Sequence, residues 1–331
     1  MASTVYFATN RNVTDPSDWT TYGTAMAGAP SDPGALTYGA AFVDGTQLGV
    51  EDSGRITAIE PAAGSGFGPE MQADILGAGK GILVFIHGFA NSFLNGISRA
   101  AYNQAWFKAS GVPAADTTVI AFSWPSLGEL LAAPPHLLPQ DYWTDQIQAG
   151  RSGGHIATFL AEIAPLLRQT RQAGRRCTLL AHSMGNYALQ AGVEVWFQEH
   201  AAESLFDAAL LAAADERWTS FEAPIGGRLS RLPELAAAIS VYDSVRDVAM
   251  AASFAANGIQ RLGLLGPAHR EDAARFPPGR FRTVDCAEVW DYPLSVPLDA
   301  SHQYYRRSPK VRADIAAILA GHAVPGGAVS L

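Results

Sequence analysis

The sequence predicts a doubly wound α/β fold, with a mostly parallel sheet carrying helices on both faces. Three observations predict it. Five short apolar runs, at 82–86, 118–122, 177–181, 208–212 and 239–242, lack polar alternation, as strands covered on both faces do. Between them lie segments of helical period, clearest at 156–171, where Ile156, Leu160, Ile163, Leu166 and Leu167 share one stripe. The two kinds of segment then alternate along the chain, which is the pattern of strand, crossover helix and parallel strand.

Residues 4–8 read as a short strand before this region. The glycine-rich stretch 34–81 holds an alternating segment at 38–43, so the chain is expected to open with the antiparallel start of the sheet. Residues 126–142 break the plan. Pro134, Pro135 and Pro139 among several leucines make a poor strand and an interrupted helix, so the segment reads as a small lid-like or cap insertion, or as an ordinary long surface loop. A strand-like run at 281–289 precedes a C-terminal helix. With 331 residues, 48% of them hydrophobic and only 16% charged, the chain can bury one large core, and residues 1–331 are expected to form a single domain.

The formal charge of -8 argues against nucleic acid as a main partner, since binding phosphates requires a clustered basic surface. The basic run 168–176 is too short to change that and reads as the solvated end of a helix. The two cysteines, Cys177 and Cys286, sit just inside two apolar strand-like runs, as buried free thiols do. No cofactor or metal is expected, because no His-Glu-x-x-His run or cysteine cluster occurs. Residues 77–81 are glycine-rich, but they precede their strand and lack the Lys-Ser/Thr ending of a phosphate loop. Neither a secretory leader nor a membrane-spanning apolar stretch is seen, so a cytoplasmic location with no transmembrane segment is expected. The oligomeric state is not legible.

The sharpest local signal is Cys177-Thr-Leu-Leu-Ala-His-Ser-Met-Gly185, a strand running into a small-x-Ser-x-Gly turn and then a helix. That is the nucleophile elbow of the α/β-hydrolase fold, in which small neighbours let a strained turn hold the serine clear while strand and helix nearly touch. Ala181 replaces the usual first glycine, at the cost of one methyl group. Ser183 is therefore the candidate nucleophile, although a serine here could merely cap the helix. His182 is expected to pack beside it rather than act as its base. Upstream, the strand 81–86 ends in His87-Gly88, and the loop after such a strand supplies a backbone N–H to a developing oxyanion. Phe89 and Met184 are assigned that duty through their amides, with His87 ordering the loop.

A serine hydroxyl needs a base and an orienting acid, which in this fold follow in the order nucleophile, acid, histidine. Of His200, His269, His302 and His322, His302 is chosen because it follows the last strand-like run and precedes the final helix. Asp215, Asp243 and Asp247 all end strands. Asp247 is preferred because the chain has left the strand there and can turn towards His302, with Asp215 as the alternative. Trp124, Leu130, Leu137 and Trp143 are candidate walls of a substrate pocket, or simply residues that pack 126–142 onto the body.

Together these residues resemble a bacterial family of the α/β-hydrolase superfamily known mainly as a domain of unknown function, to which esterase or lipase activity is ascribed. The features that carry the resemblance are Tyr6-Phe-Ala-Thr-Asn-Arg11, Tyr38-Gly39, Val84-Phe-Ile-His-Gly-Phe89, Phe122-Ser-Trp-Pro-Ser126, Ala181-His-Ser-Met-Gly-Asn186, Tyr242-Asp-Ser-Val-Arg-Asp247, Arg261-Leu-Gly263 and His302. The resemblance implies a triad of Ser183, Asp247 and His302, and its Ser-x-x-Asp element at 244–247 favours Asp247. It also implies hydrolysis of a small-molecule carboxylic ester through an acyl-enzyme. An acyltransferase using the same intermediate, or a non-catalytic ligand-binding protein on this fold, are the rival expectations.

Overall fold

The computed structural model describes residues 1–29, 32–50, 53–127, 140–222, 227–289 and 301–331. In chain order the strands are β1 (Ser3–Thr9), β2 (Thr37–Asp44), β3 (Arg55–Pro61), β4 (Ile82–Ile86), β5 (Thr118–Ser123), β6 (Cys177–His182), β7 (Ala208–Ala212), β8 (Ile239–Asp243), β9 (Phe281–Asp285) and β10 (Gly327–Ser330). The helices are α1 (Pro69–Gly77), α2 (Phe93–Lys108), α3 (Gln140–Arg151), α4 (Gly153–Gln172), α5 (Gly185–Glu199), α6 (Leu232–Leu235), α7 (Val248–Asn257), α8 (Leu262–Leu265) and α9 (Pro309–Ala320).

The strands form one ten-stranded sheet in the order β10-β9-β8-β7-β6-β4-β5-β1-β2-β3. Every pairing from β10 to β1 is parallel, while β2 runs antiparallel to both β1 and β3. The doubly wound, mostly parallel architecture is the one the alternation predicts. The opening of the chain is subtler than a plain antiparallel start. Val5 of β1 pairs in parallel with Val119 of β5, so the N-terminal strand lies inside the sheet and joins its parallel part to the β2–β3 ribbon. At the other edge β10 extends the sheet beside β9, where the sequence reads only as a glycine-rich tail. The run 281–289 leaves the sheet at Asp285.

The apolar strands are buried on both sides because their alternating residues feed two separate cores. Val84, Ile86, Leu179 and Ala181 pack with Ile156, Leu160 and Leu189 of α4 and α5 on one face. Leu83, Phe85 and Leu180 pack with Ile97 of α2 and Ile315 of α9 on the other. Each fully buried side chain of this size contributes about 1.5–3 kcal/mol, which is what compels strands without a polar face to be covered twice. Among the described residues no helix is long and apolar enough to cross a membrane.

Because the parallel strands share one direction, their carboxyl ends line up on one edge of the sheet. Functional groups of open α/β sheets gather beyond that edge. The ends of β4, β6, β7 and β8 carry His87, Ser183, Asp215 and Asp247 there.

Candidate active site

Ser183 sits in the turn between β6 and α5 with φ of 54°, a left-handed conformation that a non-glycine residue adopts at a cost. Hydrogen bonds hold it there. Its N–H donates to Ala212 O at 3.0 Å, and its carbonyl accepts from Asp215 N at 3.1 Å and Asn186 N at 3.0 Å. The Asn186 side chain closes the turn by donating to Ala181 O and Ser183 O. Tight packing explains the small residues. A Cβ on Gly185 would lie 2.6 Å from the carbonyl oxygens of Ile86 and His87, and one on Gly88 would lie 2.8 Å from Ser183 Cβ.

His302 lies in the segment after β9, where its Nδ1–H donates to Asp247 Oδ2 at 2.8 Å. The other oxygen of Asp247 accepts from Met250 N at 3.0 Å, so the carboxylate also caps the N-terminus of α7. Asp247 is wholly buried and His302 only 7% exposed. With the proton on Nδ1 facing the carboxylate, the neutral imidazole keeps Nε2 as an acceptor. Behind it stands His182, whose Nε2–H donates to the His302 carbonyl at 3.2 Å and whose ring lies 4.7 Å from the His302 ring. Burial, then the neighbouring His302, holds the His182 pKa well below that of a free imidazole. Tyr304 pins the segment to the sheet by donating to Tyr242 O at 2.8 Å and accepting from Ala213 N at 3.2 Å.

Ser183, His302 and Phe89 line one cavity of about 150 Å³, together with Arg99, Tyr142, His182, Asp215, Met250 and Ser253. Among the described residues, neither the Phe89 nor the Met184 amide has an intramolecular acceptor. The loop before Phe89 is built on a neutral histidine. His87 donates from Nδ1 to Gly88 O at 2.9 Å, stacks on Trp124, and is driven down to a pKa of about 3, first by burial and then by Arg11. Its tautomer follows from the network, since Ser123 Oγ lies 3.3 Å from Nε2.

The strand-ending aspartates divide cleanly. Asp215 reaches the cavity, but it accepts from Tyr142 at 2.9 Å and from Ser253 at 2.5 Å and lies 3.4 Å from Arg261 Nε, with no contact to His302 among the described residues. Asp243 is buried beside Arg270, and burial raises its pKa to about 8. Of the other histidines, His200 stacks on Trp196, His269 pairs with Glu222 and His322 is exposed.

The expected pocket walls need correction. Trp124 is wholly buried beneath the loop, donating its indole N–H to His87 O at 2.8 Å, and does not line the cavity. Trp143 is 41% exposed and packs edge-on against Tyr142, which is the ring that does line it. Leu130 and Leu137 lie outside the described residues, as does most of 126–142. Tyr142 and Ser253 line the cavity without being singled out by the sequence, whereas His182 packs beside the site as its place next to Ser183 predicts. Only the adjacency of Tyr142 to Trp143 offered a signal.

A parallel sheet wound on both faces, with a strained serine in its central strand-to-helix turn, defines the α/β-hydrolase class. Within that class the chain belongs to the family described as "Alpha/beta hydrolase of unknown function (DUF900)", whose pattern matches residues 70–321. No curated protein matches the chain. A solved structure described as the crystal structure of the gene lin2722 products from Listeria innocua is similar at 11% identity and a TM-score of 0.34, over 76% of this chain and 98% of that one.

Proposed function

We propose that the protein is a serine hydrolase that cleaves carboxylic esters through an acyl-enzyme on Ser183. The observation that supports this most is the shared cavity, which has the strained Ser183 on one wall and, on another, His302 hydrogen-bonded to a buried carboxylate. Ser183 Oγ attacks the acyl carbon as its proton passes to His302 Nε2. Asp247 holds the imidazole in the required tautomer and stabilises its cationic form. The tetrahedral oxyanion is received by the amides of Phe89 and Met184, each such donor contributing about 2.7–4 kcal/mol to the transition state. Collapse breaks the ester C–O bond, and the leaving alkoxide takes the proton from His302. Water, deprotonated by the same nitrogen, then releases the acid and regenerates Ser183. Esters rank above amides because an alkoxide leaves with the least help.

Hydrolysis of p-nitrophenyl esters from acetyl to long acyl chains, run beside Ser183→Ala, tests the proposal. The expected result is turnover that falls at least about 10⁴-fold in the variant. Equal turnover by both proteins would sink it. Product analysis with an added alcohol separates hydrolysis from acyl transfer.

A further inference from the structure

Arg11 is wholly buried, yet none of the described carboxylates lies within ion-pair distance of it. Its donors go instead to loops at the carboxyl edge of the sheet. Nε donates to Ser123 Oγ at 3.0 Å, Nη1 to Gly23 O at 2.9 Å and Ser126 O at 3.1 Å, and Nη2 to Asn91 O at 2.7 Å. Asp145 of α3, also wholly buried, takes the complementary set. It accepts from Ala90 N at 3.3 Å, from Leu127 N at 3.0 Å and from Ser126 Oγ. Ser126 joins the two, its carbonyl accepting from Arg11 and its hydroxyl donating to Asp145, and the same hydroxyl accepts from Asn91 N at 3.1 Å.

Apart from the bonds to Gly23 O and from Leu127 N, these paths converge on residues 88–91. Ala90 N, Asn91 N and Asn91 O are fixed directly. Asn91 Nδ2 fixes Gly88 O and Phe89 O at 2.9 and 2.8 Å, and Ser123 reaches Gly88 O through His87. Ala90 is held at φ of 56°, a strained conformation with Phe89 immediately before it. Replacing buried charges by apolar side chains of the same volume is often neutral or stabilising. A buried guanidinium and carboxylate are thus weak evidence of a stabilising role, and what their hydrogen bonds do is hold the backbone that carries a donor at the reacting centre.

We infer that Arg11 and Asp145, linked through Ser126, are positioning residues of the oxyanion site, which hold the 88–91 backbone so that the Phe89 amide is in place before substrate arrives. This rests on the serine-hydrolase reading above. It also gives a role to the Tyr6–Arg11 and Phe122–Ser126 motifs, which the chemistry itself leaves unused.

The test uses the full chain as wild type, Arg11→Lys, Arg11→Met, Asp145→Asn and the milder Ser126→Ala. Four readouts are taken: kcat and KM on the best p-nitrophenyl ester per titrated active site, fluorophosphonate labelling of Ser183, inhibition by a trifluoromethyl ketone, and circular dichroism. The ketone reports the site directly, because Ser183 adds to it and the resulting hemiketal oxyanion occupies the position of the reaction's oxyanion. Arg11→Met and Asp145→Asn are expected to lose about 10- to 10³-fold in kcat with KM held within about twofold. Ketone affinity should fall by the same factor as kcat/KM. Arg11→Lys should recover part of the loss, and Ser126→Ala should lose about tenfold.

Folded variants with wild-type kcat and ketone affinity would overturn the inference, as would a kcat loss that leaves ketone affinity unchanged. If the charge-removing variants do not fold, Ser126→Ala decides by the same criteria. A wild-type protein that hydrolyses no ester and takes no fluorophosphonate on Ser183 overturns both the serine reading and this one. Labelled, active wild type beside unaffected variants overturns only this one.

Discussion

Two imidazoles at the site are kept neutral by burial, and that has a measurable consequence for pH. The His87 pKa falls to about 3 and that of His182 well below its free value, while both titrate near 6.5 in the unfolded chain. Between those values the unfolded state binds the extra protons, so stability is full above about pH 6.5 and is lost as pH falls. The slope is about 1.4 kcal/mol per pH unit for each histidine. Urea unfolding from pH 7.5 to 5 should show this loss beginning near 6.5, with a shallower slope for His87→Gln. A flat profile down to pH 5 would mean that the two rings are protonated in the folded protein. Residue by residue, legibility varied. Ser183 stands out in sequence because an elbow demands small neighbours at fixed offsets. Asp215 and Asp247 are near equals there, since both follow strands. They are separated only by partners such as Tyr142 and His302, 73 and 55 residues away, whose positions depend on the fold.

At the scale of elements, the close approach of α5 to β4 depends on one missing side chain. Gly185→Ala would press a methyl group against two carbonyl oxygens at 2.6 Å. Backbone atoms cannot rotate aside, so overpacking of about 1–3 kcal/mol or more is expected, together with a displaced elbow. Thermal melts and ester turnover should therefore fall together, and a variant with wild-type melting would refute the account. The helices and parallel strands were legible because period and burial are written locally. For Trp124 and Trp143 the sequence leaves pocket wall and packing residue both open, because an apolar residue in sequence does not say whether it faces a ligand or a core. The stacking of Trp124 on His87 is a tertiary fact.

For the whole molecule, the interior place of β1 decides what can be removed. Its ladders with β5 and β2 join the parallel part of the sheet to the β2–β3 ribbon. Both cores run across the shared sheet, and we propose that the chain unfolds in one transition. Thermal unfolding followed by near-UV and far-UV dichroism should coincide, and separated midpoints would refute that unity. Deleting residues 1–11 should expose the edge of β5 and yield aggregated, dye-binding protein rather than a smaller active one. An active, monomeric truncation would contradict this. This part of the architecture was the hardest to read, because strand order is set by pairings across more than a hundred positions, which no local pattern encodes.

Arg11 and Ser126 lie 115 residues apart, and the ribosome makes about 5–20 residues per second. The segment carrying Arg11 therefore waits roughly 6–23 s between its own synthesis and the arrival of Ser126, the last of its partners. During that interval an apolar strand and a cation destined for the interior are both outside. Slowing translation in a cell-free system should therefore lower the folded fraction of the newborn chain, and a holding chaperone should restore it.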